Sequence, residues 1–455
     1  MKSKFISIVC SVCLLCAFSL SAISCTSAKA KGIAQAEIND DGELVLIYTD
    51  GSEENLGSVV GKNGEDGQDG QDGQDGKDGK DGHDGADGNV VINGEQSSTA
   101  LASSKGLRSA VSIVCNFTMT IQNSGFRPGW GNTRTEEYSS AGSGVIYQLD
   151  RGEGDAFIIT NYHVVYDASS DTENGISDDI SIYLYGSEIE EKAIPATYVG
   201  GSLYYDIAVL RVEDNEFLKN SNACAVNIAN SDHVVVGNSA IAIGNAEGLG
   251  ISASLGIVSV DSEYITMTAA DGKTEVSFRV MRVDAAVNSG NSGGGLYDHQ
   301  GNLIGIVNAK IVDEGVESIG YAIPSNVAVS ITENIIDYCY GSENERVQRA
   351  LLGITVNTSD SKAVYDSETG LISLRETVSV YEINEGALAD GVLQEGDLLC
   401  SALLNGVKTD ITRQYHIIDM MLDVRVGDVV ELELLRDGEE ITVSITITEE
   451  CLAAY

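Results

Sequence analysis

Short runs of Val, Ile, Leu, Thr and Tyr bounded by glycine recur along most of the chain, and runs with helical spacing are scarce. Ile158-Ile159-Thr160, Ile207-Ala208-Val209-Leu210, Ala240-Ile241-Ala242-Ile243 and Leu303-Ile304-Gly305-Ile306 are of this kind. β-Branched and aromatic side chains suit a pleated surface, and glycine punctuates strands. The pattern therefore predicts a mostly β protein. Ala36–Ser52 reads as a short β-hairpin unit within residues 26–60, and Val429–Glu439 as another hairpin. Asn123–Ser140 is polar, carries Gly, Pro and the only Trp, and predicts a long loop between the first strands of the main body.

The first 25 residues break this pattern. Lys2 and Lys4 precede an apolar run from Phe5 to Ile23, which reads as a targeting segment. Ala22-Ile23-Ser24-Cys25 resembles a bacterial lipobox with Cys25 as the lipidated residue, although Ala22 stands where Leu is usual. A single membrane-spanning anchor is the alternative. Both place the protein outside the cytoplasm, held at the bacterial envelope by its N-terminus.

Between 61 and 88 glycine occupies every third position, mostly as Gly-x-Asp, the period of a collagen triple helix. No proline lies within the repeat, and it carries nine acids against Lys62, Lys77 and Lys80. An extended charged linker and a collagen-like trimeric stalk are both open. Residues 89–106 are small and polar and read as a further linker. The main body starts near Leu107.

Charge and cysteine content narrow the partners. The chain has 69 acidic and 27 basic residues, which argues against nucleic-acid binding and for a soluble, self-repelling surface. Of nine cysteines, Cys10, Cys13 and Cys16 fall in the apolar leader and Cys25 at its end. Cys115, Cys224, Cys339, Cys400 and Cys451 are widely spread and odd in number. They predict small buried hydrophobes rather than a disulfide framework or a zinc site. No metal or cofactor is expected.

The candidate chemistry lies in Asn288-Ser289-Gly290-Asn291-Ser292-Gly293-Gly294-Gly295. Taken alone, this is either a glycine-rich turn or the exposed turn of a nucleophilic serine with backbone N–H groups beside it. Upstream, His163 ends the apolar run Ile158–Thr160, and Asp206 begins Ile207–Leu210. The order His, Asp, Ser is that of the chymotrypsin arrangement. An α/β-hydrolase elbow needs its histidine after the serine. Of five histidines, only His299, in a nearby turn, and His416, far downstream, follow Ser292. His83 lies in the repeat, and His233 in Ser231–Val234 reads as a solvated residue at a strand entry. In these roles His163 is the general base, Asp206 orients it, and the N–H groups of Gly290 and Ser292 form an oxyanion hole around a turn shaped by Asn291.

Further segments agree in order: Ala141-Gly142-Ser143-Gly144-Val145-Ile146, Ala240–Asn245, Leu255–Ser259, Val283–Gly294, Gly301–Ile306 and Ile319–Ser325. Together they resemble the trypsin-like HtrA/DegP serine proteases across roughly residues 108–340. Ser289 and Gly295 stand where the family has proline, which removes stiffness from the nucleophile loop. Near Arg349 the pattern changes. Leu351-Leu352-Gly353-Ile354 resembles the carboxylate-binding loop of PDZ domains, and Asn384–Leu399 a second part of that domain.

The resemblance implies a two-barrel chymotrypsin-like protease domain over 107–345, with the triad between two six-stranded barrels, and a PDZ domain over 346–455. It implies an envelope-anchored endopeptidase that cleaves unfolded or misfolded exported proteins and captures substrate C-termini. It also implies a homotrimer assembled through aromatic residues near Phe117, Phe126 and Trp130. A signalling protease with one partner, and a surface structural or adhesive protein with a vestigial protease domain, are the alternatives.

Overall fold

The structure is a computed structural model that describes residues 33–38, 43–49, 51–58, 98–123, 132–187, 189–309, 319–342, 344 and 346–454. Cys25, the Gly61–Gly88 repeat, Phe126 and Trp130 lie outside the described residues. The chain divides into two compact units, 1–89 and 90–455.

In the first unit, β1 (Ile33–Ile38), β2 (Glu43–Tyr48) and β3 (Glu53–Ser58) form one antiparallel sheet. The expected hairpin thus gains a third strand. Gly51, at φ +80, closes the added turn, with its N–H donating to the Tyr48 carbonyl at 2.9 Å.

The second unit opens with helix α1 (Ser98–Ser109), where the sequence predicted linker to residue 106. Small residues explain the difference. Ala102, Gly106 and Ser109 form the buried stripe, and a Cβ on Gly106 would lie 2.5 Å from Ile243. The composition that reads as linker is what lets a helix sit against a barrel wall.

Two barrels follow, each closed by six antiparallel strands. The first comprises β4 (Ala110–Asn123), β5 (Asn132–Asp150), β6 (Asp155–Thr160), β7 (Asp179–Leu184), β8 (Ile194–Ser202) and β9 (Ile207–Val212). Short helices α2 (Tyr162–Val165) and α3 (Glu216–Lys219) interrupt the connections. The second barrel comprises β10 (Ser239–Gly244), β11 (Ser252–Thr268), β12 (Glu275–Val283), β13 (Gly295–Tyr297), β14 (Leu303–Asn308) and β15 (Gly320–Pro324). Alternating residues fill each interior, with Ile113, Ile158, Ile182 and Leu210 in the first and Met281, Leu296 and Ile304 in the second. The long loop expected over 123–140 is shorter than read. β4 and β5 stay paired from Ala110↔Val145 out to Asn123↔Asn132. β4 alternates through Phe117, Met119 and Ile121, but the first part of β5, Asn132–Ser140, is polar apart from Tyr138 and lacks the alternation that would have revealed it. His233 is likewise in a 3₁₀ turn, Ser231–His233, and not at a strand entry.

Helix α4 (Ser325–Cys339) leaves the second barrel and packs on β8, β9 and β14. The chain continues through β16 (Gln348–Ala350) into a sheet ordered β17-β18-β19-β21-β22, with β20 beside β19. These are β17 (Ile354–Tyr365), β18 (Ile372–Ile383), β19 (Leu398–Leu404), β20 (Val407–Asp410), β21 (Val429–Arg436) and β22 (Glu439–Thr446). Helix α5 (Gln414–Asp423) covers the sheet, and β23 (Leu452–Ala454) pairs with β16. The hairpin predicted around 429–439 is β21–β22. Its turn takes Asp437 and Gly438 at φ +54 and +85, the pair of positive angles that a tight reversal needs. Cys115 and Cys339 are buried as expected, but Cys400 is exposed.

Candidate active site

His163 lies on α2, directly after β6, where the apolar run ends at Asn161. The Asn161 Nδ2 donates to the Asp206 carbonyl at 2.8 Å, and the Tyr162 N–H donates to the same oxygen at 3.2 Å. These bonds dock α2 on the corner that carries Asp206. That residue sits at φ +55, the left-handed region that a short polar side chain tolerates best.

The Asp206 carboxylate is almost fully enclosed and has three donors. The His163 backbone N–H reaches Oδ1 at 2.9 Å, the His163 ring Nδ1 reaches Oδ2 at 2.6 Å, and Asn308 Nδ2 reaches Oδ2 at 2.8 Å. A carboxylate only accepts, so the ring proton between them belongs to Nδ1. That leaves Nε2 with its lone pair as the basic atom. Asn308 ends β14 in the second barrel and is wholly buried.

Ser292 sits between β12 and β13 on a turn that glycine alone permits. Gly290 and Gly293 have φ of +90 and +83. A Cβ on Gly290 would meet the Asn245 carbonyl at 2.2 Å, and one on Gly293 the Ser143 carbonyl at 2.2 Å. Gly295, where proline was the resemblance's norm, has the Tyr297 ring 2.5 Å from the place of a Cβ. The Ser292 Oγ accepts from the Ala309 N–H at 3.2 Å. Among the described residues it makes no hydrogen bond to His163.

Ser143 ties this loop to the first barrel. Its N–H donates to the Ser292 carbonyl at 2.8 Å, and its hydroxyl donates to the Gly290 carbonyl at 2.6 Å while accepting from the Asn245 N–H at 2.8 Å. The Ser289 carbonyl accepts from the Glu247 N–H at 2.7 Å. Since C=O and N–H point oppositely across a trans peptide, this turns the Gly290 N–H away from Glu247. The N–H groups of Gly290 and Ser292 have no acceptor among the described residues. Asn291 differs, because its N–H is committed to the Asn288 carbonyl at 3.0 Å. It shapes the turn and supplies no free backbone N–H.

The other predicted cluster forms one wall of an apolar groove. Leu351, Leu352, Gly353 and Ile354 line it with Ile417, Ile418 and Met421 of α5. The Leu351 N–H donates to the Cys451 carbonyl at 3.2 Å. Those of Leu352 and Gly353 have no acceptor among the described residues. Gly353, at φ +74, leaves no room for a side chain, since a Cβ would lie 2.1 Å from that of Ala387.

Sequence reasoning thus singled out the three residues His163, Asp206 and Ser292, and the structure brings the first two into direct contact. It assigned no role to Asn308, Ser143 or Asn245. Ser143 and Asn245 fall within segments that carry the resemblance, which was the available signal; Asn308 lies in the stretch Ile304–Ala309 expected to shape the specificity pocket, and its contact with Asp206 was not foreseen.

Comparison with known proteins bears on the same region. The model of the trypsin-like peptidase domain matches residues 142–306. The chain is similar to the serine protease Do-like HtrA of Bacillus subtilis, at 30% identity over 78% of this chain and 74% of that one. It is also similar to the periplasmic serine endoprotease DegP of Salmonella typhimurium, at 30% identity over 74% of this chain and 63% of the other. Among solved structures, an HtrA-type protease AlgW with a decapeptide aligns at 23% identity and TM-score 0.46, over 78% of this chain and 98% of that one.

Proposed function

The chain belongs to the HtrA/DegP-like trypsin-fold serine proteases and is a serine endopeptidase, and from that premise we propose that His163, Asp206 and Ser292 are its catalytic triad. The observation that carries the reading is the Asp206 carboxylate gripping both the backbone and the ring of His163. In this scheme the Ser292 Oγ attacks the scissile carbonyl carbon and its proton passes to His163 Nε2. The oxyanion that forms is held by the N–H groups of Gly290 and Ser292. Collapse breaks the C–N bond, and the amine leaves with the proton from Nε2. Water then repeats the sequence on the acyl-enzyme. Asp206 keeps the imidazole in the Nδ1–H form and stabilises the imidazolium. The bond from Ala309 does not oppose this, because a hydroxyl that accepts one hydrogen bond can still donate its own proton. Nucleophile–base bonds are often long before substrate arrives.

The C-terminal sheet acts as a PDZ domain on this reading. A peptide adds as a strand beside β17, its free carboxylate on the N–H groups of Leu352 and Gly353 and its last side chain among Ile417, Ile418 and Met421. The substrates are unfolded or misfolded exported polypeptides. The protein is held at the outside of the bacterial membrane by its N-terminus, through Cys25 or a spanning segment, and assembles as a trimer. A relative named as periplasmic supports the compartment. Labelling with a fluorophosphonate followed by peptide mapping tests the core of the proposal. Modification at Ser292 is expected, and labelling elsewhere or none would overturn it.

A further inference from the structure

Tyr205 immediately precedes Asp206 and is buried in the core between the barrels. Its hydroxyl accepts from the Arg349 Nη1 at 2.8 Å. Arg349 belongs to β16, which pairs with β23 just before the C-terminal sheet begins, and it also lines the apolar groove. Its Nη2 donates to the Ile418 carbonyl on α5 at 3.3 Å. One guanidinium therefore touches the groove helix and the neighbour of the acid.

Both ends of this link are fixed. Next to Arg349, the Gln348 N–H donates to Asn334 Oδ1 at 2.9 Å, and Asn334 Nδ2 donates to the Gln348 carbonyl at 2.6 Å, which anchors β16 on α4. At the other end, the Tyr205 N–H donates to Ser202 Oγ at 3.2 Å, and the Tyr204 ring stands edge-on at 4.9 Å. Asp206 follows at φ +55. A non-glycine residue keeps that conformation only where its surroundings hold it. The Tyr205 side chain, fixed at its tip by Arg349, is one of the holds.

We propose that Arg349 and Tyr205 are positioning residues for Asp206, so that a cation from β16, the strand that leads into the C-terminal sheet, completes the setting of the catalytic acid in the first barrel. The inference rests on Asp206 being the triad acid. A small displacement of that acid misaligns the His163 ring, and misplaced catalytic geometry lowers turnover more than binding.

Steady-state kinetics of the whole chain on a short chromogenic peptide test this, with thermal melting as the check on folding. Tyr205→Phe and Arg349→Met are each expected to lower kcat about tenfold with KM little changed. The double variant should fall no further than either single one, since both break the same link, and Arg349→Lys should recover part of the loss. If Arg349→Met unfolds the C-terminal sheet, Tyr205→Phe, which keeps the ring in the core, carries the test with Arg349→Lys. Unchanged kcat in these variants, or losses that multiply in the double one, would overturn the inference while loss of activity in Asp206→Asn leaves the triad standing. Retained activity in Asp206→Asn would overturn both.

Discussion

The Asp419 carboxylate on α5 lies 2.8 Å from the buried Arg279 guanidinium on β12, joining the helix that covers the C-terminal sheet to the second barrel. Asp232 stands 3.2 Å from the same guanidinium, whose face is covered by the Tyr415 ring at 3.8 Å. Burial drives the Asp419 pKa up to about 7, Arg279 opposing and Asp232 reinforcing the rise. Burial also raises Asp423 nearby. The folded state then holds protons that the unfolded chain releases near the ordinary carboxylate pKa. With more protons bound when folded, stability falls as pH rises between that value and about 7, and is level above it. Melting of the wild type should therefore weaken across this window. Asp419→Asn should flatten the decline, and an unchanged slope in that variant would remove Asp419 as its source.

Ser292→Ala should lower kcat by several powers of ten and leave the melting temperature close to wild type. Adding His163→Ala should cost little more, because triad members act as a unit. Casein hydrolysis by purified Ser292→Ala would exclude Ser292 as the nucleophile.

Asn308 makes a sharper prediction than the triad, because two replacements separate its roles. Asn308→Ala removes one donor from Asp206 and should cost about tenfold in kcat/KM. Asn308→Asp places a second carboxylate against the first and should be worse, since like charges in a buried site cannot both stay ionised. Equal rates for the two would show that the contact carries no electrostatic weight.

Ser143→Ala leaves the Gly290 carbonyl and the Asn245 N–H without their shared hydroxyl. An activity loss of about ten- to a thousandfold, mostly in kcat, is the expected result. A loss confined to KM would place the role of Ser143 in substrate binding instead.

For the groove, peptides with a free apolar C-terminus should bind the chain, and amidation should weaken them strongly. Calorimetry giving equal affinity for both forms would exclude carboxylate capture.

Much of the site was legible because its residues sit in contiguous segments with local causes. His163 follows an apolar strand, Asp206 precedes one, and Ser292 lies among glycines that avoid steric overlap. The barrel strands were legible as short β-branched runs bounded by glycine, and their two-barrel arrangement only through the family resemblance. What escaped was non-local or hidden by composition. Asn308 reaches Asp206 only because two barrels close against each other. Arg349 finds Tyr205 only once β16 is anchored on α4. α1 looked like linker because its buried face is made of Ala, Gly and Ser. The start of β5 looked like loop because Asn132–Ser140 is polar apart from Tyr138 and follows the Gly- and Pro-bearing stretch before it.

The placement of Ser143 makes activity a property of a seam. On the proposed triad, His163 and Asp206 come from the first barrel and Ser292 and Asn308 from the second, and the Ser143 backbone and hydroxyl stitch the two at the Ser292 loop. Each barrel has its own filled interior and closes its own ladder. A third core lies between them, where Val145, Ile159 and Val209 meet Ile241, Ile243 and Phe278, and on the proposed triad neither barrel carries the chemistry alone. A substitution that spares both interiors can still silence the protein by shearing the halves a fraction of an ångström, leaving a molecule that folds, melts and migrates like the active one.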